Sequence, residues 1–342
     1  MGQPIGGAKG VLVRLLSYAI LIFFAALCLY FNYTTRGIFL SSNNILNILQ
    51  QTAINTIIAV GMTFVIISGG IDLSVGSIVA LSGVFSMTVL LHGFARGHAG
   101  PSPTAWPLAI AVPMAAIVAM GAGAVAGAAN GFFITRLRVT PFIATLAMMS
   151  IGRGLAFVFT DARPVSPLPV SFVDNVGGRS LQLWRLPPIT PLVPLALVVV
   201  ALGYIVLTRT NFGRTVYAIG GNQEAARLSG INVNRTKLGV YTINGLLAGL
   251  SGFMLSAWLS AGDPKTGSMY EMNAIAAVVL GGASLMGGIG SVTGTLLGSL
   301  VIGSLEIGLV QSHVSTYYQM MVKGGVILLA VVLDQLKSRL AS

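Results

Sequence analysis

The sequence predicts an all-α polytopic membrane protein of about ten transmembrane helices, and three observations lead there. Charged residues make up 8% of the 342 residues and hydrophobic ones 55%. A soluble domain carries roughly 25% charge, so this chain has too little to cover a water-facing surface. Apolar runs of the 20 or so residues needed to cross a bilayer core recur along the whole length. The 19 Lys and Arg sit mostly in short segments between those runs, the distribution of a membrane protein. A nucleic-acid binder would gather them on one solvated face, so the net charge of +11 does not point to nucleic acid.

The first run, 12–32, has Lys9 and Arg14 ahead of its apolar stretch Leu15–Leu29 and lacks a small-x-small cleavage signal before a soluble region, so a retained span is expected. The second, 45–67, carries the polar series Gln50, Gln51, Asn55 and Thr63, and the third covers 73–91. Gly69 and Gly70 mark the turn between them, and Asp72 is placed to cap a helix starting at Leu73. Next come 106–131, 141–160, 189–208, 238–260, 272–287, 291–312 and 317–335. Gly287 and Gly288 mark a second short apolar turn, and eight spans with re-entrant pieces at the two turns is the competing count. Small residues recur every fourth position at Gly123, Gly127 and Gly131, at Gly245 and Gly249, and at Gly290, Gly294 and Gly298. That spacing lets helix backbones approach closely in lipid. Residues 65–79 and 284–298 also echo each other, an apolar run with Gly-Gly-Ile before a helix start, as in duplicated transporter units.

With ten spans and an inner N-terminus, eleven Lys and Arg fall in inner segments and six in outer ones. This places both termini in the cytoplasm. The whole chain, 1–342, reads as one transmembrane domain. Its longest inner segment, 209–237, contains GGNQEAARLSGI. There Glu224, Ala225, Ala226, Arg227 and Leu228 form a short helix bracketed by Gly220, Gly221 and Gly230. Such a helix suits a groove on a soluble partner, with the alanines allowing close approach, Leu228 an apolar contact and Arg227 a charged one. The outer segments 92–105 and 161–188 are rich in Pro and Gly.

Catalytic and metal signatures are missing from the sequence. It has no G-x-x-x-x-G-K-[ST] to cradle ATP phosphates, no G-x-S-x-G elbow, and no His or Cys at metal-ligand spacing. The lone Cys28 lies inside the first run, which leaves no intrachain disulfide, and the methionines read as packing residues. Ionisable groups inside spans are costly and are functional candidates. Here they are Arg153, Glu306 and Lys323. Glu306 reads either as a coupling carboxylate of an ion-driven carrier or as half of a structural ion pair. Gln51, Asn55, Ser68, Asp72 and Asn130 read either as the lining of a polar path or as hydrogen-bonding glue between helices.

Five segments then carry a resemblance: NILQQTAINTIIAVGMTFVI, SGGIDLSVGSI, TPFIATLAMM, YAIGGNQEAARLSGINVN and EMNAIAAVVLGGASLMGG. In this order they closely resemble the ribose-type permease family of bacterial ABC importers, from about residue 40 to 335. The resemblance implies the type II ABC importer permease fold, an inner-membrane location and a permease homodimer. It also implies a cytoplasmic two-domain ATPase that holds the ATP and magnesium, and a periplasmic sugar-binding protein. No cofactor is expected on this chain. The family's ATPase-docking segment corresponds to Gly220, Gly221, Asn222, Glu224, Ala225, Ala226, Arg227, Leu228, Gly230 and Ile231. Gln51, Asn55, Ser68, Asp72, Asn130 and Glu306 are the candidate translocation path. Ribose or a similar pentose is the expected cargo, and an ion-coupled secondary sugar carrier is the alternative.

Overall fold

The computed structural model describes residues 8–94, 107–178, 180–182 and 188–341. In chain order the helices are α1 (Ala8–Thr34), α2 (Ser42–Ile67), α3 (Val75–Phe94), α4 (Leu108–Arg136), α5 (Pro141–Thr160) and α6 (Val170–Phe172). They continue with α7 (Leu192–Arg209), α8 (Asn211–Gly221), α9 (Gln223–Leu228), α10 (Val233–Leu259), α11 (Tyr270–Leu280), α12 (Val292–Gln311) and α13 (Thr316–Ala341). Among the described residues, α2, α4, α5, α7, α10 and α12 are long and apolar enough to cross a membrane. The apolar stretches Ile20–Thr34, Val75–Leu91 and Tyr270–Leu280 are shorter. Much of the expected 92–105 segment lies outside the described residues.

Burial orders these helices around α2. Of its apolar window 94% is buried, against 22% for α4 and for α5, so α2 is the axis and α4 and α5 are peripheral. It packs on α7, α10, α11 and α12. The outward faces of α4 and α5 present Ile117, Val125, Phe142, Ile151 and Val158, which suits an apolar solvent. The predicted small-residue stripe joins α4 to α10. A Cβ at Gly123 would overlap the Gly245 carbonyl oxygen, one at Gly127 that of Tyr241, and one at Gly249 that of Ala119. Gly294 and Gly298 seat α12 on Gly281 and Ala277 of α11 in the same way. Gly290 does not belong to that stripe, because it lies in the turn before α12.

Two boundaries differ from the sequence reading. Helix α3 starts at Val75 and not at Leu73. The expected 272–287 run yields only the 11 residues of α11, about 16 Å of helix and half of a bilayer core. The segment 260–269 ahead of α11 is also packed against the helices. It runs down beside α3, from Gly262 packed on Gly83 and Met87 to Gly267 packed on Gly76. Non-helical backbone at that depth needs protein partners for its polar groups. Gly262 exchanges both hydrogen bonds with Val165. Arg153 of α5 donates from Nη1 to the carbonyls of Pro264 (2.7 Å) and Thr266 (2.6 Å). The arginine that the sequence left inside a span therefore holds the 260–269 segment against α5.

Candidate functional site

The 209–237 segment holds two helices, α8 and α9, where the sequence suggested one. Thr210 opens α8 by accepting from the Gly213 amide through Oγ1. Phe212, Val216 and Ile219 recur on one face, with Val216 and Ile219 buried, a helical spacing that was the available signal. The Gly220–Gly221 pair, taken as a break, instead completes the last turn of α8. Asn222 then caps α9, its Oδ1 accepting from the Ala225 amide at 2.9 Å. Gly230, with φ +83°, ends the element while its amide and that of Ile231 bond back to the Arg227 and Ala226 carbonyls.

The placement of side chains on α9 corrects one expectation. Ala226 does not face outward. It is 5% exposed and packs with Ile219 and Val233, flanked by Ala218 and Ile231. Leu228 is 79% exposed, and Glu224 pairs with Arg227 at 2.6 Å on the surface. Lys237 Nζ reaches Gln223 Oε1 at 2.7 Å. The helix thus presents Glu224, Ala225, Arg227 and Leu228 and uses Ala226 to lock itself to α8 and α10.

The polar candidates divide into separate groups. Asp72, wholly buried, accepts at Oδ1 from the Ser74 amide (2.9 Å) and hydroxyl (2.6 Å). It accepts at Oδ2 from Asn244 Nδ2 (2.8 Å). Asn130 Nδ2 donates to Ser74 Oγ at 2.8 Å. The carboxylate therefore braces the turn ahead of Ser74 and does not directly cap a helix at Leu73. In doing so it ties the α2–α3 turn to α4 and α10, near the middle of α10. Asn244 and Ser74 escaped the sequence reading, since nothing local marks an asparagine 172 residues away as a partner.

Ser68 is buried and satisfies the Val65 carbonyl. Gln50 donates to the Gly177 carbonyl (3.1 Å), and Thr63 meets Thr295 at 2.7 Å, both acting as glue between elements. Gln51 and Asn55, one turn apart on α2, stay partly exposed. Glu306 pairs with Lys323 at 2.7 Å across α12 and α13, each partly exposed.

With this geometry in place, the relatives can be set beside it. The family described as branched-chain amino acid transport system / permease component matches residues 44–331. The chain belongs to this family. The permease is 46% identical over 300 residues to the ribose import permease of Bacillus subtilis, covering 88% of this chain and 87% of that one. It is 45% identical over 303 residues to the ribose import permease of Escherichia coli K12, with 87% and 88% covered. The xylose transport system permease of the same strain is 38% identical over 392 aligned positions, with 98% and 95% covered. No solved structure matches the permease. Membership in a permease-component family sets the ion-coupled carrier aside, and the Glu306–Lys323 pair is then a salt bridge between two helices.

Proposed function

We propose that the chain is the transmembrane permease subunit of a binding-protein-dependent ABC importer. It carries a monosaccharide, ribose or a similar pentose, from periplasm to cytoplasm and has no ATPase site of its own. The observation that carries this reading is the 46% identity to a ribose import permease across 88% of the chain. The exposed face of α9 supports it, being an N-capped surface on which Leu228 stays 79% exposed among the described residues. The full reading has ten crossings, namely the six long helices, α1, α3, α13, and α11 together with 260–269. They form one type II importer domain in the bacterial inner membrane with both termini cytoplasmic. Its partners are a second copy, a two-domain ATPase that binds ATP and magnesium, a periplasmic sugar-binding protein, and lipid against α4 and α5.

In this reading Glu224, Ala225, Arg227 and Leu228 touch the ATPase, while Gly220, Gly221, Asn222, Ala226, Gly230 and Ile231 shape the element. Gln51, Asn55 and Glu306 line the sugar path, with Ser68, Asp72 and Asn130 in the buried frame behind it. Nucleotide binding on the ATPase favours one packing of the helices only as far as its docked state interacts differently with the two.

The test is reconstitution in proteoliposomes with a cognate ATPase and a sugar-binding protein. Uptake of radiolabelled ribose or xylose is expected to need ATP, the ATPase and the binding protein. Uptake by the chain alone, driven by a proton or sodium gradient, would overturn the reading.

A further inference from the structure

Three chain segments distant in sequence meet behind the coupling element, and they meet almost entirely through backbone. A Cβ at Gly220, in the last turn of α8, would overlap the carbonyl oxygen of Ile67 at the end of α2 and crowd the Gly288 amide. That amide donates to the same Ile67 carbonyl at 2.9 Å. A Cβ at Gly287 would fall 2.8 Å from the Gly220 oxygen and 3.1 Å from the Gly69 Cα. The two Gly-Gly turns, between α2 and α3 and between α11 and α12, therefore touch each other and the end of α8. One side chain completes the joint, with Tyr217 of α8 donating its hydroxyl to the Gly290 carbonyl at 2.7 Å. Partial burial raises this phenol above its ordinary pKa, so it keeps the proton it donates. Above the joint, Phe212 of α8 packs on Phe64 of α2 with ring centroids 6.4 Å apart.

We infer that Tyr217 and Gly220 form the inner seat of the coupling element, positioning residues that pass movement of α8–α9 to both Gly-Gly turns at once. Three features support this. Helix α9 is locked to α8 through Ala226 and Ile219, so a displacement at Leu228 moves α8 with it. Apart from the Tyr217 ring, the seat meets backbone against backbone, and close-packed contacts shift between discrete arrangements and do not deform smoothly. The two turns it touches end α2 and α11 and begin α3 and α12, so one small shift reaches four helices, including the axial one. Gly220, which the sequence placed among residues facing the partner, thus faces the membrane domain.

The seat rests on the importer reading above, and its test separates the two. The complex of permease, ATPase and binding protein is reconstituted with Gly220→Ala or Tyr217→Phe, and ribose taken up per ATP hydrolysed is measured. A docking defect lowers hydrolysis and uptake together and leaves the ratio alone, whereas a defective seat lowers the ratio. Gly220→Ala is expected to reduce it about tenfold, within the range of coupling between distant sites. Tyr217→Phe removes one hydrogen bond and adds no bulk. It is expected to reduce the ratio about threefold, and it decides the matter if Gly220→Ala fails to assemble. Parental ATP-driven uptake with an unchanged ratio in Tyr217→Phe overturns the seat alone. Absence of ATP-driven uptake in the parental complex overturns the importer reading, and the seat with it.

Discussion

Asn244 Nδ2 is the only side-chain donor to Asp72 Oδ2 among the described residues, in a site with no exposed surface on either partner. Removing it leaves a buried carboxylate oxygen without a donor, which costs about 1–3 kcal/mol for a neutral group and more for a charged one. Asn244→Ala is therefore expected to lower the thermal unfolding midpoint of the detergent-solubilised permease clearly below that of the parent. An unchanged midpoint would show that the cluster does not brace the α2–α3 turn. The residue scale is also where sequence reading reached least far. Asp72 could be recognised as a turn residue because its partners at Ser74 are two positions away. Asn130 stood out as a polar group in an apolar run, but its bond to Ser74 could not be read. Ala226 looked like an exposed docking residue because composition does not say which face of a six-residue helix turns inward.

At the scale of elements, the short helix bracketed by glycines was legible, and so were the α4–α10 stripe and both Gly-Gly turns. Each is written in local spacing. Helix α8 was hidden because a glycine pair at its end reads as a breaker until a neighbour is found whose close approach requires it. The packing of 260–269 against α3 and α5 was hidden because the segment carries Asp263, Pro264 and Lys265 and reads as a water-exposed loop until Arg153 is found on its carbonyls. The proposed docking face of α9 gives the prediction for this scale. Leu228→Asp places a charge on the exposed contact, and burying it unpaired against a partner costs several kcal/mol, about two decades in affinity or more. That variant is expected to keep its level and stability in the membrane while losing the ATPase on co-purification. Ala226→Asp differs, because its charge falls among Ile219 and Val233, and it is expected to lower stability as well. Equal co-purification of ATPase by Leu228→Asp and parent would remove α9 as the docking surface.

For the whole molecule, the orientation follows from one helix and one charge asymmetry. Segment 161–191 connects α5 to α7, and α7 is an 18-residue apolar helix, about 27 Å long and so long enough to cross a membrane. Ser171 before it and Ser229 after it are both exposed, and in the proposed topology they lie on opposite faces of the membrane. In the proposed orientation the face with the excess of Lys and Arg, the Ser229 side, is cytoplasmic, which is also where an ATPase has to reach Leu228. In a background with Cys28 replaced by alanine, Ser171→Cys is expected to react with an impermeant maleimide in spheroplasts. Ser229→Cys is expected to react only after permeabilisation. Labelling of both from outside would remove α7 as a crossing. The reverse pattern would turn the permease over, carry α9 away from any cytoplasmic nucleotide, and break the link between the docking face and the two Gly-Gly turns beneath it.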